Sequence, residues 1–252
     1  MKKILLLGII LYFAVASSCK KLNPDNHTPA IDSLKVGLIA YYQFNNSGVD
    51  SSGKGNDIAY YSNITPTSNR VGKPNSAFSF NGINSYLMIR DNSDLRLSNT
   101  DFTINSWIKM SDYNYGDFGS VIISKRFSGS NKGYNFSVNG TGPTPTGSIY
   151  FGPGGGLPSL YSTVLAVKNE WCMITVVYNL AAKKVKIYKN GIYDTEASIS
   201  PIDGSINADV YIGRDNPTIG ANYFLNGSLD DIRIYNRAIT PQLIQRLYVA
   251  AN

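Results

Sequence analysis

From residue 37 onward the chain runs in short stretches of alternating apolar and polar positions, separated by Gly, Asn, Asp and Ser. A period of two puts successive side chains on opposite faces of a strand. Residues 37–44, 77–81, 86–89, 101–109, 121–125, 134–138, 147–151, 170–178, 183–189 and 209–213 each read as a strand. The turn dipeptides Asn81-Gly82 and Asn190-Gly191 follow two of them. In the first strand, strict alternation sets Ile39, Tyr41 and Gln43 against Leu38, Ala40, Tyr42 and Phe44. The stretch with most structure in its pattern is 224–237, where Asn226-Gly227 feeds Ser-Leu-Asp-Asp-Ile-Arg-Ile-Tyr. There, Asp230, Ile232 and Ile234 fall on one face, and Asp231, Arg233 and Tyr235 on the other. A carboxylate in line with two isoleucines is costly to bury unless something pairs with it, and a cation at the rim of the sheet would do so.

Helical spacing is predicted once, over 240–248. Thr240 is the cap, Pro241 sits in the first turn, and Leu243, Ile244, Leu247 and Tyr248 form an apolar stripe. Many short strands, no helical crossover and one terminal helix predict an all-β, antiparallel two-sheet sandwich of residues 37–250. The start of the chain differs. Lys2-Lys3, an apolar run over 4–15 and Ala16-Ser17-Ser18 before Cys19 read as an export signal over 1–18, too short for a membrane helix. Small residues before a cysteine resemble the lipobox of bacterial lipoproteins, which makes Cys19 the lipidated mature N-terminus. Residues 19–36, polar and broken by Pro24 and Pro29, read as a flexible tether.

Composition mostly excludes. The formal net charge is +6, and removing Lys2 and Lys3 with the signal leaves +4 (6 − 2), with no run of like charge. Nucleic acid, which favours a basic stripe, is not the expected partner. A single histidine, His27, sits outside the patterned region, which removes His-based nucleophiles and His-ligated zinc. Cys172 lies in an apolar strand with no disulfide partner and reads as a small buried side chain. The glutamates are Glu170 and Glu196 alone.

Five ordered motifs carry a family resemblance over 37–250. They are the opening strand, Asp50-Ser-Ser-Gly-Lys-Gly-Asn56, Phe102-Thr-Ile-Asn-Ser-Trp-Ile108, the Trp171 strand, and Gly227-Ser-Leu-Asp-Asp-Ile-Arg-Ile-Tyr-Asn-Arg-Ala238. The chain resembles the laminin G-like, concanavalin A-like family. Ile239 where Leu is usual and Asn56-Asp57 are its mild departures. The resemblance implies a jelly-roll sandwich and, as in related domains, one structural calcium ion joining the first strand's loop to the late aspartate. By position its ligands would be Asp230, Asp50 and Asn45. A signal, a short tether and a Tyr-rich β domain are also typical of Bacteroidetes envelope lipoproteins. That implies lipid anchoring at the outer membrane, on either face.

Three functions follow. Glucanases of this architecture carry Glu-x-Asp-x-x-Glu on one strand, holding two carboxyls about 5–5.5 Å apart. Here Glu170 and Glu196 stand far apart in sequence and no such motif exists, so catalysis is not expected. A lectin-like or adhesive module would stack sugars on loop aromatics, with Tyr113, Tyr115, Phe118 and Tyr223 as candidates. The alternative is a structural or interaction subunit of an envelope complex. Glycan or envelope protein is the expected partner.

Overall fold

The structure, a computed structural model, describes residues 32–114, 119–140, 145–154, 158–220 and 223–250. In chain order the strands are β1 (Leu38–Tyr42), β2 (Tyr60–Ser62), β3 (Thr65–Thr67), β4 (Ala77–Asn81), β5 (Tyr86–Ile89), β6 (Phe102–Met110), β7 (Ser120–Lys125) and β8 (Tyr134–Val138). They continue as β9 (Ser148–Pro153), β10 (Leu160–Leu165), β11 (Trp171–Asn179), β12 (Lys184–Lys189), β13 (Ile192–Ser198), β14 (Val210–Ile212) and β15 (Asn226–Tyr235), followed by α1 (Pro241–Val249). An eight-stranded sheet runs β13-β12-β11-β6-β15-β4-β3, with β1 also pairing β15. A seven-stranded sheet runs β10-β9-β8-β7-β14-β5-β2, and every strand pair is antiparallel. This is the sandwich that the alternation predicts.

Between the sheets, Tyr42, Phe78, Phe80, Leu87, Phe102, Ile108, Phe136, Phe151, Ile174, Leu229 and Ile232 join one continuous buried cluster. Burying each such side chain contributes roughly 1.5–3 kcal/mol. Asn190 (φ 52°) and Gly191 (φ 81°) both take the left-handed conformation that a two-residue hairpin between β12 and β13 requires. The strands that alternation missed are short or at edges: β2 and β3 end their sheets, and Pro66 in β3 is tolerated because an edge needs fewer donors.

The helix has a specific task. Ile239, Ile244 and Leu247 close over Leu38, Trp107, Met173, Val177, Tyr188 and Tyr235 on the outer face of the eight-stranded sheet. Thr240 Oγ1 accepts from the Leu243 N–H, and Tyr248 stacks on Trp107 with centroids 5.7 Å apart. Residues 33–36 dock beside it rather than continuing the tether. Leu34 packs on this second cluster, Arg237 donates to the carbonyls of Ser33 and Val36, and Arg246 donates to Ser33 Oγ.

Two bulges correct the predicted faces. In β1 the register with β15 shifts between Leu38 and Ala40, so Ile39 joins the inner core and Leu38 turns outward under α1. In β15 the register with β6 shifts between Asp230 and Arg233, with Asp231 at φ 53°. One extra residue flips the faces. Asp230 lies opposite Trp107 on the outer face, with Arg233 and Tyr235, while Ile232 and Ile234 stay in the core.

Candidate functional site

The flipped acid meets an arginine. Arg70 Nη1 lies 2.5 Å from Asp230 Oδ2 and Nη2 lies 3.1 Å from Asp231 Oδ2, so the two carboxylates assigned to opposite faces share one guanidinium. All three side chains are nearly buried, at 6%, 3% and 6% exposure for Arg70, Asp230 and Asp231. Arg233 Nε reaches Asp231 Oδ1 at 3.1 Å, Arg233 donates to the Tyr41 hydroxyl at 2.7 Å, and its guanidinium lies 4.2 Å from that ring's centroid. Arg70 stacks 4.5 Å from the Trp107 ring. Burial pushes the Asp230 carboxyl up to about 7, with the Arg70 charge opposing the shift. A concavity of about 270 Å³ opens beside it, lined by Tyr41, Gln43, Asn45, Asn69, Lys73, Asp230 and Asp231.

The expected calcium ligands do not fit an ion well. Asp230 is held by Arg70, which supplies the positive partner that its burial demands. Both oxygens of Asp50 are occupied as acceptors, from the N–H groups of Tyr41, Ser52 and Asn56 and from Ser52 Oγ, so Asp50 ties the 45–57 loop to β1 by hydrogen bonds alone. Asn45 Oδ1 takes Lys73 at 3.4 Å. Among the described residues no group of three or more His, Cys, Asp or Glu side chains gathers in a metal-holding cluster.

The other sheet presents a different surface. Along β8, Tyr134, Phe136 and Val138 face the core, so Asn135 and Ser137 point to the opposite side of the sheet, as does Tyr150 on β9 between Ile149 and Phe151, and all three are buried there. Asp215 folds back over this face. It accepts from Ser124 Oγ at 2.5 Å, from Arg126 Nε at 3.0 Å and from Asn135 Nδ2 at 3.4 Å. Asn135 Oδ1 and Ser137 Oγ are buried without a hydrogen-bond partner. Beside this polar centre lies an aromatic patch. Tyr60 and Tyr211 pair with Met88 from either side, and Tyr86 touches both rings, 5.6 Å from Tyr60 and 6.1 Å from Tyr211. Tyr60 is 49% exposed, and Tyr86 and Tyr211 are half-buried. Arg214 lies over three rings, 4.9 Å from Tyr86, 5.9 Å from Tyr211 and 4.8 Å from Phe224.

Comparison with known proteins gives these faces a context. Residues 81–245, about two thirds of the chain, match the profile described as the concanavalin A-like lectin/glucanases superfamily. The chain belongs to that superfamily. Among solved structures it is similar to the binding domain of Paraclostridial Mosquitocidal Protein 1, at 20% identity and TM-score 0.65, covering 85% of this chain and 52% of that one. It is also similar to the binding domain of botulinum neurotoxin serotype D/C VPI 5993, at 16% identity and TM-score 0.65, covering 86% and 52%. A third is domain 4 of AbnA, a GH43 extracellular arabinanase from Geobacillus stearothermophilus, solved with arabinotriose, at 20% identity and TM-score 0.61, covering 84% and 98%. The chain spans about half the length of the toxin chains (52%). No curated protein sequence matches it.

Within this superfamily fold the loop aromatics chosen from sequence are dispersed. Tyr113 is half-buried against the core, its hydroxyl donates to the Ala166 carbonyl, and Lys168 Nζ lies 5.0 Å from its ring. Tyr223 lines a groove of about 300 Å³ with Arg126, Gly154 and Ile219. Tyr115, Phe118 and Cys19 lie outside the described residues. Sequence reasoning missed Tyr60, Tyr86, Tyr211 and Arg214. Their signal was the alternation of Tyr86-Leu-Met-Ile89 and Val210-Tyr-Ile212, which leaves a tyrosine outside each time.

Proposed function

We propose that this domain is a non-catalytic, lectin-like module that binds glycans at the cell envelope, anchored by lipid at Cys19. One observation carries the binding reading: the solvent-facing patch of Tyr60, Tyr86 and Tyr211, with Arg214 over its rings, on the sheet face that α1 does not cover. An aromatic ring offers an apolar face to the C–H face of a pyranose, and neighbouring polar groups take its hydroxyls. The rings tilt by 33° and 51° in succession, so they make no flat floor; they suit a single bent or twisted chain rather than a crystalline polysaccharide surface. The arabinotriose held by domain 4 of AbnA makes glycans the first ligand class to test.

The carboxylates that sequence offers for hydrolysis are not placed as a catalytic pair among the described residues. A glycosidase needs two, flanking a cleft, one free to donate a proton and the other to attack or activate water. Glu196 on β13 pairs with Lys184 and Lys186, Glu170 is exposed before β11, and Asp230 and Asp231 are engaged by arginines. No pair among these faces the aromatic patch.

The test is a glycan array probed with the full chain in detergent, with calcium and again with EDTA. Binding is expected in both conditions, because the aromatic patch contains none of the residues expected to hold calcium and Arg70 already pairs with Asp230. Tyr86→Ala weakens it by roughly thirtyfold, about 2 kcal/mol, in a chain that still unfolds cooperatively well above the assay temperature. Binding that survives Tyr86→Ala at full strength refutes this site, and a blank array moves the search to envelope proteins.

A further inference from the structure

Arg214 is the group on this face whose chemistry points to a kind of sugar. Its guanidinium carbon lies 4.9, 5.9 and 4.8 Å from the ring centroids of Tyr86, Tyr211 and Phe224, cation–π contacts that use none of its N–H donors in a conventional hydrogen bond. Nε donates to the Asp215 carbonyl at 2.8 Å, which fixes the plane. No acceptor among the described residues reaches the two terminal nitrogens, and no carboxylate pairs with them. The contrast with the other arginines beside acids is sharp: Arg70, Arg96, Arg126 and Arg233 each hold a carboxylate. A long flexible cation normally loses side-chain entropy when it binds an anion, but here ring stacking has already removed that freedom.

Arg90 adds to this. It follows Tyr86 and Met88 on the β5 alternation, just past the strand end, and it is exposed with no ion pair among the described residues. Asp209, two residues before Tyr211, accepts from the Asp91 N–H at 2.9 Å. The tyrosine patch therefore sits between two unpaired guanidiniums.

We propose that the Tyr60–Tyr86–Tyr211 patch takes an acidic polysaccharide, with the planar fork of Arg214 receiving the carboxylate of a uronic acid. A guanidinium and a carboxylate match in a bidentate pair, and a ring stack beneath the pyranose would hold the sugar at the right height. This rests on the glycan-binding reading above and narrows it.

The experiment is affinity electrophoresis of the full chain in non-ionic detergent through gels containing polygalacturonate, alginate or hyaluronan, each paired with its carboxyl-reduced, neutral form. At least one acidic polymer is expected to retard the protein roughly tenfold more strongly than its neutral counterpart, the size of one charge-assisted pair. Arg214→Gln removes that preference, so that acidic and neutral forms retard the variant equally. Lys183→Gln deletes the same charge from the exposed β11–β12 turn, away from the patch, and leaves the preference in place. Tyr86→Ala weakens both forms. Equal retention on acidic and neutral polymers, or a preference that survives Arg214→Gln, overturns the acidic-sugar inference while leaving a glycan module standing. Retention by none of the six gels overturns both.

Discussion

Arg70→Met tests whether the buried ion cluster, rather than a metal, completes the signature strand. Methionine keeps the stem packed beneath Trp107 and deletes only the guanidinium. What remains is Asp230 at 3% exposure with no cation beside it, and Asp231 with Arg233 alone. Removing one partner of a buried ion pair costs about 3–5 kcal/mol, because the other charge stays desolvated. For a domain of this size that is a fall of roughly 6–20 °C in Tm. The pH dependence fixes the cause. Burial already raises the Asp230 carboxyl from 3.8 to about 7, so the folded protein keeps a proton that the unfolded chain releases, and stability from this group falls as pH rises between those values. Without Arg70 the carboxyl rises further. The destabilisation should therefore be smallest near pH 5, where the acid is protonated, and largest near pH 8. Urea unfolding of wild type and variant at both pH values reads this directly, and adding Asp230→Asn to Arg70→Met should recover much of the loss at pH 8. A loss that is equal at both pH values, or no loss at all, refutes the reasoning.

Three further outcomes follow from particular contacts. Leu247→Ala opens a hole between α1 and Trp107, Met173 and Tyr188, and should cost about 2–5 kcal/mol by thermal unfolding; a smaller cost would mean the helix is not closing that face. Cys172 is buried and its thiol is pushed up to about 11 by desolvation, so a thiol reagent at pH 8 should leave it unmodified in the folded protein and label it on unfolding. Cys19→Ser should move the protein from the membrane to the soluble fraction, and an unchanged membrane fraction would rule out the lipid anchor.

Core strands such as β8 were legible where alternation runs unbroken. Residues 134–138 read as one strand from sequence and are one in the structure, and Thr240 and Pro241 announce α1. What alternation could not reveal was the two bulges. A single inserted residue at β1 and another at β15 reverse every later face, and neither carries the glycine that usually marks such a site; Asp231 itself takes the left-handed conformation. The argument that a buried Asp230 needs a cation held, but its partner was a side chain from residue 70, some 160 positions away in sequence. Distance in sequence also hid the tyrosine patch. Tyr60, Tyr86 and Tyr211 come from three separate strands, and Tyr60 from an edge strand too short to read. The loop aromatics were chosen because loops carry function, whereas Tyr113 packs inward on the core instead.

The two outer faces divide the work for a physical reason. The eight-stranded sheet carries Trp107, Met173, Val177, Tyr188 and Tyr235 outward, an apolar surface too large to leave in water, and α1 with residues 33–36 exists to cover it. The seven-stranded sheet carries Tyr86, Tyr211 and Arg214 outward, half-buried groups that solvent reaches, while Ser124, Asn135 and Ser137 on the same face are buried together with Arg126 and Asp215. A face of that composition needs no helix to be stable. On the proposed reading, a sugar chain laid on the tyrosine rings would remove their apolar surface from water, so affinity would arise from groups the fold did not need to bury. The same logic explains Arg214. A guanidinium paired with Asp215, as Arg126 is, would be spent on the fold; stacked on rings and unpaired, it remains available to a ligand.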